Sequence, residues 1–181
     1  MLSNQKREFE SAVMIHLDAA YNLAHWLVRD ASAADDVVQE ALLRAFRYFQ
    51  GFRGGDARPW LMGIVRNAAY TWLRERGVIA HAETSDDDGV MEAKWEAPAQ
   101  DGPESMLIRK TESAQINAAI AALPAPFREV IVLRVMEEMS YEAIAMVANV
   151  PVGTVMSRLS RARALLRQAL VSGVVGERYE R

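Results

Sequence analysis

This sequence predicts an all-α protein: two small helical domains joined by an acidic flexible linker. Three observations carry that expectation. Apolar residues recur at helical spacing through residues 5–76 and 106–172, and no stretch alternates polar with apolar as a strand would. Between them, residues 77–105 hold three glycines, two prolines and the run Asp86-Asp87-Asp88, and no period survives there. The net charge of −3 is also unevenly placed: residues 1–76 carry +1, residues 77–105 carry −7 and residues 106–181 carry +3. A linker of that length argues for two domains rather than one.

Composition narrows the function. At 181 residues and 51% hydrophobic, the chain can build two modest cores. It contains no cysteine, which removes disulfides, thiolate metal sites and cysteine nucleophiles and fits a reducing cytoplasm. No apolar run approaches the roughly 18 residues of a membrane span, and the N-terminus lacks a basic-then-apolar leader pattern. A cytoplasmic protein without membrane insertion is expected. The histidines, His16, His25 and His81, do not pair with carboxylates at H-E-x-x-H-like spacing, so no catalytic residue, metal or cofactor is assigned.

The first helical segment, residues 5–29, places Phe9, Val13, Leu17, Ala20, Leu23 and Leu27 on one stripe, with an interruption expected near Asp18. Ser32 is the expected cap of the next helix, with Asp35 three residues on in a capping-box role. That helix runs to about Gln50. It buries Val38, Ala41, Leu42, Ala45 and Phe49, and shows Asp36, Gln39, Glu40, Leu43 and Arg47 on its other side. Leu43 is an apolar residue among acids on a face that should be wet. That fits either an ordinary solvated face or a docking site for another helix.

The stretch GFRGGDA breaks the pattern. A third helix, from about Arg58 to Arg76 with Pro59 in its first turn, buries Leu61, Val65, Ala68, Ala69 and Trp72. Its other side gathers Gly63, Arg66, Asn67, Tyr70 and Arg74, with Trp60 at the edge. Rings stack on bases, Asn bonds base edges and Arg holds phosphate, so this set suits unstacked nucleic acid. A surface helix with an amphipathic tyrosine is the plainer reading. Within the linker, Val90, Met91 and Trp95 are too apolar for a pure spacer, and would dock on a partner or touch either domain transiently.

The C-terminal half places helices near 105–123, 126–138, 140–148 and 152–170, punctuated by Pro124, Pro126, Ser140 and Pro151. Ser140 to Ala148 is a short helix with Ile144 and Val147 inward. Asn149 tolerates a left-handed turn, Val150 plugs the corner and Pro151 starts the next helix. On that helix Val155, Leu159, Ala162 and Leu166 share the buried sector. Gly153, Thr154, Ser157, Ser160 and Arg161 lie opposite, flanked by Arg158 and Arg163. Small residues at the helix start, with serines and arginines around them, suit a helix-turn-helix in a major groove. A helical hairpin with a solvated arginine face is the alternative.

Three segments, ASAADDVVQEALLRAF, DARPWLMGIVRNAAYTWLRER and LPAPFREVIVLRVMEEMSYEAIAMVANVPVGTVMSRLSRARALL, resemble in order and separation those of extracytoplasmic-function (ECF) sigma factors in the sigma-70 superfamily. The resemblance spans nearly the whole chain outside the linker. It implies that residues 5–76 form the region 2 helical bundle, that 77–105 connect, and that 106–172 form the region 4 helix-turn-helix.

It further implies an alternative sigma factor, with RNA polymerase core and promoter DNA as partners and no enzymatic activity. Asp35, Asp36, Gln39, Glu40 and Leu43 would dock on the polymerase β′ clamp helices. The loop Gly51–Ala57, with Phe52 and Arg53, would read the melted −10 element together with Arg58, Trp60, Arg66, Asn67, Tyr70 and Arg74. Gly153, Thr154, Ser157, Arg158, Arg161 and Arg163 would read the −35 duplex while region 4 rests on the β flap. An anti-sigma factor is implied as a further partner, and the acidic linker would mimic nucleic acid near the polymerase cleft.

Met156 stands where the family often has Lys, Ala143 where it often has Glu, and Asn149 where it usually has Gly. These departures bear on which bases are read. Two other readings were weighed. A stand-alone helix-turn-helix regulator is disfavoured by the acidic linker and the Arg/Asn/Tyr face. A helical metal enzyme or hydrolase is disfavoured by the histidine spacing.

Overall fold

A computed structural model describes residues 2–79 and 111–179, with side-chain surroundings over residues 4–79 and 113–172. The expected linker lies outside the described residues from residue 80 on, and with it Val90, Met91 and Trp95. The described residues are helical, with no strand among them.

The N-terminal half is a bundle of four helices. α1 (Leu2–Val13) ends in a 3₁₀ turn, Met14–His16, and α2 (Leu17–Val28) follows. The expected interruption is real, but it comes just before Asp18, which belongs to the first turn of α2. At the end of α2, Arg29 takes a left-handed conformation (φ 60°) and its N–H donates to the His25 carbonyl at 2.8 Å. That turn leaves Asp30 extended, in the geometry of a helix cap.

The Asp30 carboxylate therefore accepts from the Ala33 N–H at 2.7 Å and starts α3 (Ala31–Tyr48). Ser32, the expected cap, sits exposed inside the first turn. A turn carrying Gly54 and Gly55, both at positive φ (83° and 89°), leads to Asp56, which caps α4 (Ala57–Glu75) through the Arg58 N–H at 2.9 Å. α4 lies along both α2 and α3.

The C-terminal half holds α5 (Thr111–Ala122), α6 (Ala125–Ile131), α7 (Tyr141–Ala148) and α8 (Val152–Tyr179). The helix expected over 126–138 divides. After Ile131 the chain widens into a π turn, Val132–Met136, closed by the Glu137 N–H on the Val132 carbonyl at 3.1 Å. A π ring holds one residue more than an α turn, so residues after it leave the α wheel. Ser140 caps α7 through the Ala143 N–H at 3.1 Å. Asn149 is left-handed (φ 54°, ψ 49°), as its type suggested, and the axes of α7 and α8 turn by 98°. No single described helix is long and apolar enough to cross a membrane.

The two halves pack on one another. α4 meets α7, and α2 meets α6. Where α4 crosses α7 the backbones come close: a Cβ built on Gly63 would stand 3.8 Å from the Val147 carbonyl oxygen. Leu23 and Leu27 of α2, Leu61, Met62 and Val65 of α4, and Leu133, Ile144 and Leu159 of the second half are all fully buried. They belong to one continuous core rather than two separate ones. Each buried leucine contributes about 1.5–3 kcal/mol.

Candidate nucleic-acid interface

The glycine turn before α4 is anchored by rings. Phe52 stacks on Phe49 (5.9 Å between centroids) and leans on Trp60 (5.0 Å), and Phe9 meets Phe46 and Phe49 edge-on. Phe52 and Trp60 are thus half-buried and hold the loop to the helix, while Arg53 stands exposed at its tip. Farther along α4, Asn67 is exposed. Arg74 is half-buried, with its guanidinium donating to the Thr71 hydroxyl at 3.3 Å.

The remaining residues of the α4 face are engaged by the second half of the chain. Arg66 pairs with Glu129 of α6 through its Nε, and its Nη2 lies 3.5 Å from the other carboxylate oxygen. The same guanidinium covers the Tyr70 ring at 4.3 Å. The Tyr70 hydroxyl donates to Glu129 at 2.8 Å. Glu129 is wholly buried and Tyr70 is 6% exposed. Tyr70 is thus not on the wet face that the helical wheel assigned to it, and Trp72, expected inside, is only partly buried.

Burial pushes the Tyr70 phenol well above its ordinary value, and the neighbouring carboxylate adds to that. For Arg66, burial works against the charge, but Glu129 and Tyr70 outweigh it and its pKa is raised. At the start of α4, Arg58 donates to Glu137 at 2.7 Å, and Asn22 of α2 donates to the same carboxylate at 2.6 Å.

A further cation bridges the halves. Arg128 of α6 is buried, and its hydrogen bonds among the described residues go to main-chain oxygens: Ala121 (2.8 Å), Leu123 (2.7 Å) and Leu27 (3.0 Å). These lie at the C-terminal ends of α5 and α2, where helix dipoles leave partial negative charge. Burial, then the charge of Arg29, brings its pKa down to about 10.

On α8, Gly153, Ser160, Arg161 and Arg163 are exposed, and Val155, Leu159 and Ala162 are buried. Leu166 is only partly buried. Thr154 and Ser157 are half-exposed, and the Ser157 hydroxyl donates to the Thr154 carbonyl at 3.0 Å. Arg158 leaves the outward set. It is half-buried, its Nη1 has no exposed surface and no hydrogen-bond partner among the described residues, and its charge is felt by Tyr70.

The α3 surface is simpler. Asp35, Asp36, Gln39, Glu40 and Leu43 are all exposed, with Leu43 at 58%. Glu40 accepts from Arg44 at 2.7 Å.

Sequence reasoning assigned no role to Glu129, Glu137, Arg128 or Asn22. The available signal was a charged pair, Arg128-Glu129, set directly against the apolar run Val130 to Leu133. Buried charges need partners, but the partners lie on helices far away in the chain.

Comparison with known proteins places this geometry. Residues 12–78 match the family described as Sigma-70 region 2, and residues 113–166 match Sigma-70, region 4. The chain is 36% identical over 168 residues to the RNA polymerase sigma-H factor of Pseudomonas aeruginosa, covering 91% of this chain and 87% of that protein. It is 35% identical over 164 residues to the ECF RNA polymerase sigma factor SigE of Mycolicibacterium smegmatis, covering 90% of this chain and 61% of that protein. Among solved structures, the sigma factor RpoE of Bartonella quintana, determined with the anti-sigma factor NepR, matches with a TM-score of 0.66 and 31% identity. The match covers 91% of this chain and 97% of that one.

Proposed function

This chain belongs to the extracytoplasmic-function sigma factors of the sigma-70 superfamily, and from that membership we propose how it works: it binds RNA polymerase core in the cytoplasm and directs initiation at promoters carrying −10 and −35 elements. The observation that carries this reading is one chain holding a 98° helix-turn-helix with exposed Arg161 and Arg163 and, on a separate helix, an exposed acidic face around Leu43. The first face suits duplex DNA; the second suits a protein helix.

In this reading Asp35, Asp36, Gln39, Glu40 and Leu43 dock on the β′ clamp helices. Phe52, Arg53, Arg58, Trp60, Arg66, Asn67, Tyr70 and Arg74 meet the melted −10 strand. Gly153, Thr154, Ser157, Arg158, Arg161 and Arg163 meet the −35 duplex while region 4 rests on the β flap. Two weak readouts joined by one tether gain affinity through effective concentration. Strand opening is favoured because unstacked bases make contacts that the closed duplex cannot. The chain carries out no chemistry of its own. An anti-sigma factor is a further partner, a reading supported by the RpoE relative having been solved with one.

Run-off transcription with purified core polymerase on genomic DNA tests this. Start sites that appear only when the chain is added are expected. Tight duplex binding without core, together with no association with core on gel filtration, would instead assign a stand-alone helix-turn-helix regulator.

A further inference from the structure

The contact between the two halves uses up groups from both reading sets at once. From the α4 set it takes Arg58, Arg66 and Tyr70; from the α8 set it takes Arg158. The group at the centre is Glu129, a wholly buried carboxylate held by Arg66 and Tyr70. A carboxylate and a phosphate present similar paired oxygens to a guanidinium. Glu129 therefore stands where a backbone phosphate of a nucleic-acid strand would be held by the same two side chains. Glu137 stands in the same relation to Arg58.

We infer that the free chain is autoinhibited: region 4 folds onto region 2, and Glu129, aided by Glu137, occupies the cationic −10 reader as an internal substitute for DNA phosphate. The inference rests on the sigma-factor reading and adds to it a closed state that must open before the promoter is engaged.

Three features make such a contact a reversible closure. Its centre is polar, and a polar contact between domains is more easily parted than an apolar seam. Glu129 and Glu137 recover full hydration on opening, so parting strands no acid. Arg158 has a buried nitrogen without a partner in the closed form, a cost that opening removes. On the other side, Arg128 spans the halves through the Leu27 carbonyl, and Gly63 lets α4 and α7 meet closely. The closed form is thus specific, and the apparent affinity of the free chain for DNA falls by the fraction of molecules that are open.

The absence of cysteine makes the test direct. Glu75→Cys and Gln168→Cys, both exposed and outside the assigned faces, carry a fluorophore pair on the full-length chain, without polymerase. The probe is a mixed-sequence single-stranded oligonucleotide. Glu129→Gln keeps the shape but removes the charge. It is expected to lengthen the distance between the labels and to tighten oligonucleotide binding by about tenfold. Arg66→Ala is expected to lengthen the distance without tightening binding, because it removes a reader along with the latch.

If Glu129→Gln leaves both distance and binding at wild-type values, the inference is overturned. If distance lengthens and binding does not tighten, Glu129 does not mask the reader and the inference is likewise overturned. Should Glu129→Gln fail to fold, as a thermal melt would reveal, Glu137→Gln decides by the same two readouts, with the same signs. Initiation by the unaltered chain with core polymerase is a separate arm. Its failure would remove the sigma-factor reading while leaving the distance change as evidence of a closed form.

Discussion

Glu129 follows Arg128 directly and precedes the apolar run Val130 to Leu133, and both charges are inside the protein. Their different partners explain how burial is tolerated. Glu129 meets a guanidinium and a phenol, so its charge is matched. Arg128 meets main-chain carbonyls at helix ends, which match it only in part, and its pKa is accordingly brought down to about 10. Tyr70→Phe removes a donor from a buried carboxylate while keeping the ring beneath Arg66. We expect it to destabilise the chain by about 1–3 kcal/mol, the usual penalty for a buried group left short of a partner, as measured by urea unfolding. An unchanged midpoint would mean that the hydroxyl bond contributes nothing to the folded state.

Helix ends decide where the faces point. Asp30 caps α3 because Arg29 has already turned the chain left-handed, and Ser32 is left without a capping role. Asp30→Ala should therefore cost about 1 kcal/mol and Ser32→Ala close to nothing, in paired thermal melts; the reverse order would restore the cap to Ser32. In the second half, left-handed Asn149 sets the 98° turn that stands α8 away from α7 and leaves Arg161 and Arg163 in solvent. Arg161→Ala is expected to lower discrimination between promoters with and without the upstream element, with unchanged helicity. A base contact of this kind contributes about 1–3 kcal/mol. Equal use of the two promoters by wild type and variant would take Arg161 out of the readout.

At the scale of the whole molecule, the surfaces divide by what the closed form leaves free. The α3 face with Leu43 stays in solvent while part of the −10 face is covered. Docking on polymerase can thus precede opening. Leu43→Asp places a charge at the centre of that face and should reduce recovery of core polymerase in a pull-down at least about tenfold, one buried apolar contact replaced by an unpaired charge. Equal recovery would move the docking site elsewhere.

By itself, the sequence determined the all-α class, the helix-turn-helix with its Asn149 turn, the outward position of Arg161 and Arg163, and the acidic face of α3. Those features depend on residue type and on helical period within a few turns of chain, which a wheel can read. Only the tertiary structure decided that Tyr70 is buried, that Arg58 and Arg66 are held by Glu137 and Glu129, and that Arg158 turns inward. Each depends on a partner 59 to 79 residues away or on the opposing domain, and the π turn after Ile131 shifts Glu137 off any wheel drawn through it. A period reports which side of a helix faces inward; it carries no information about which distant charge will meet that side when two domains close.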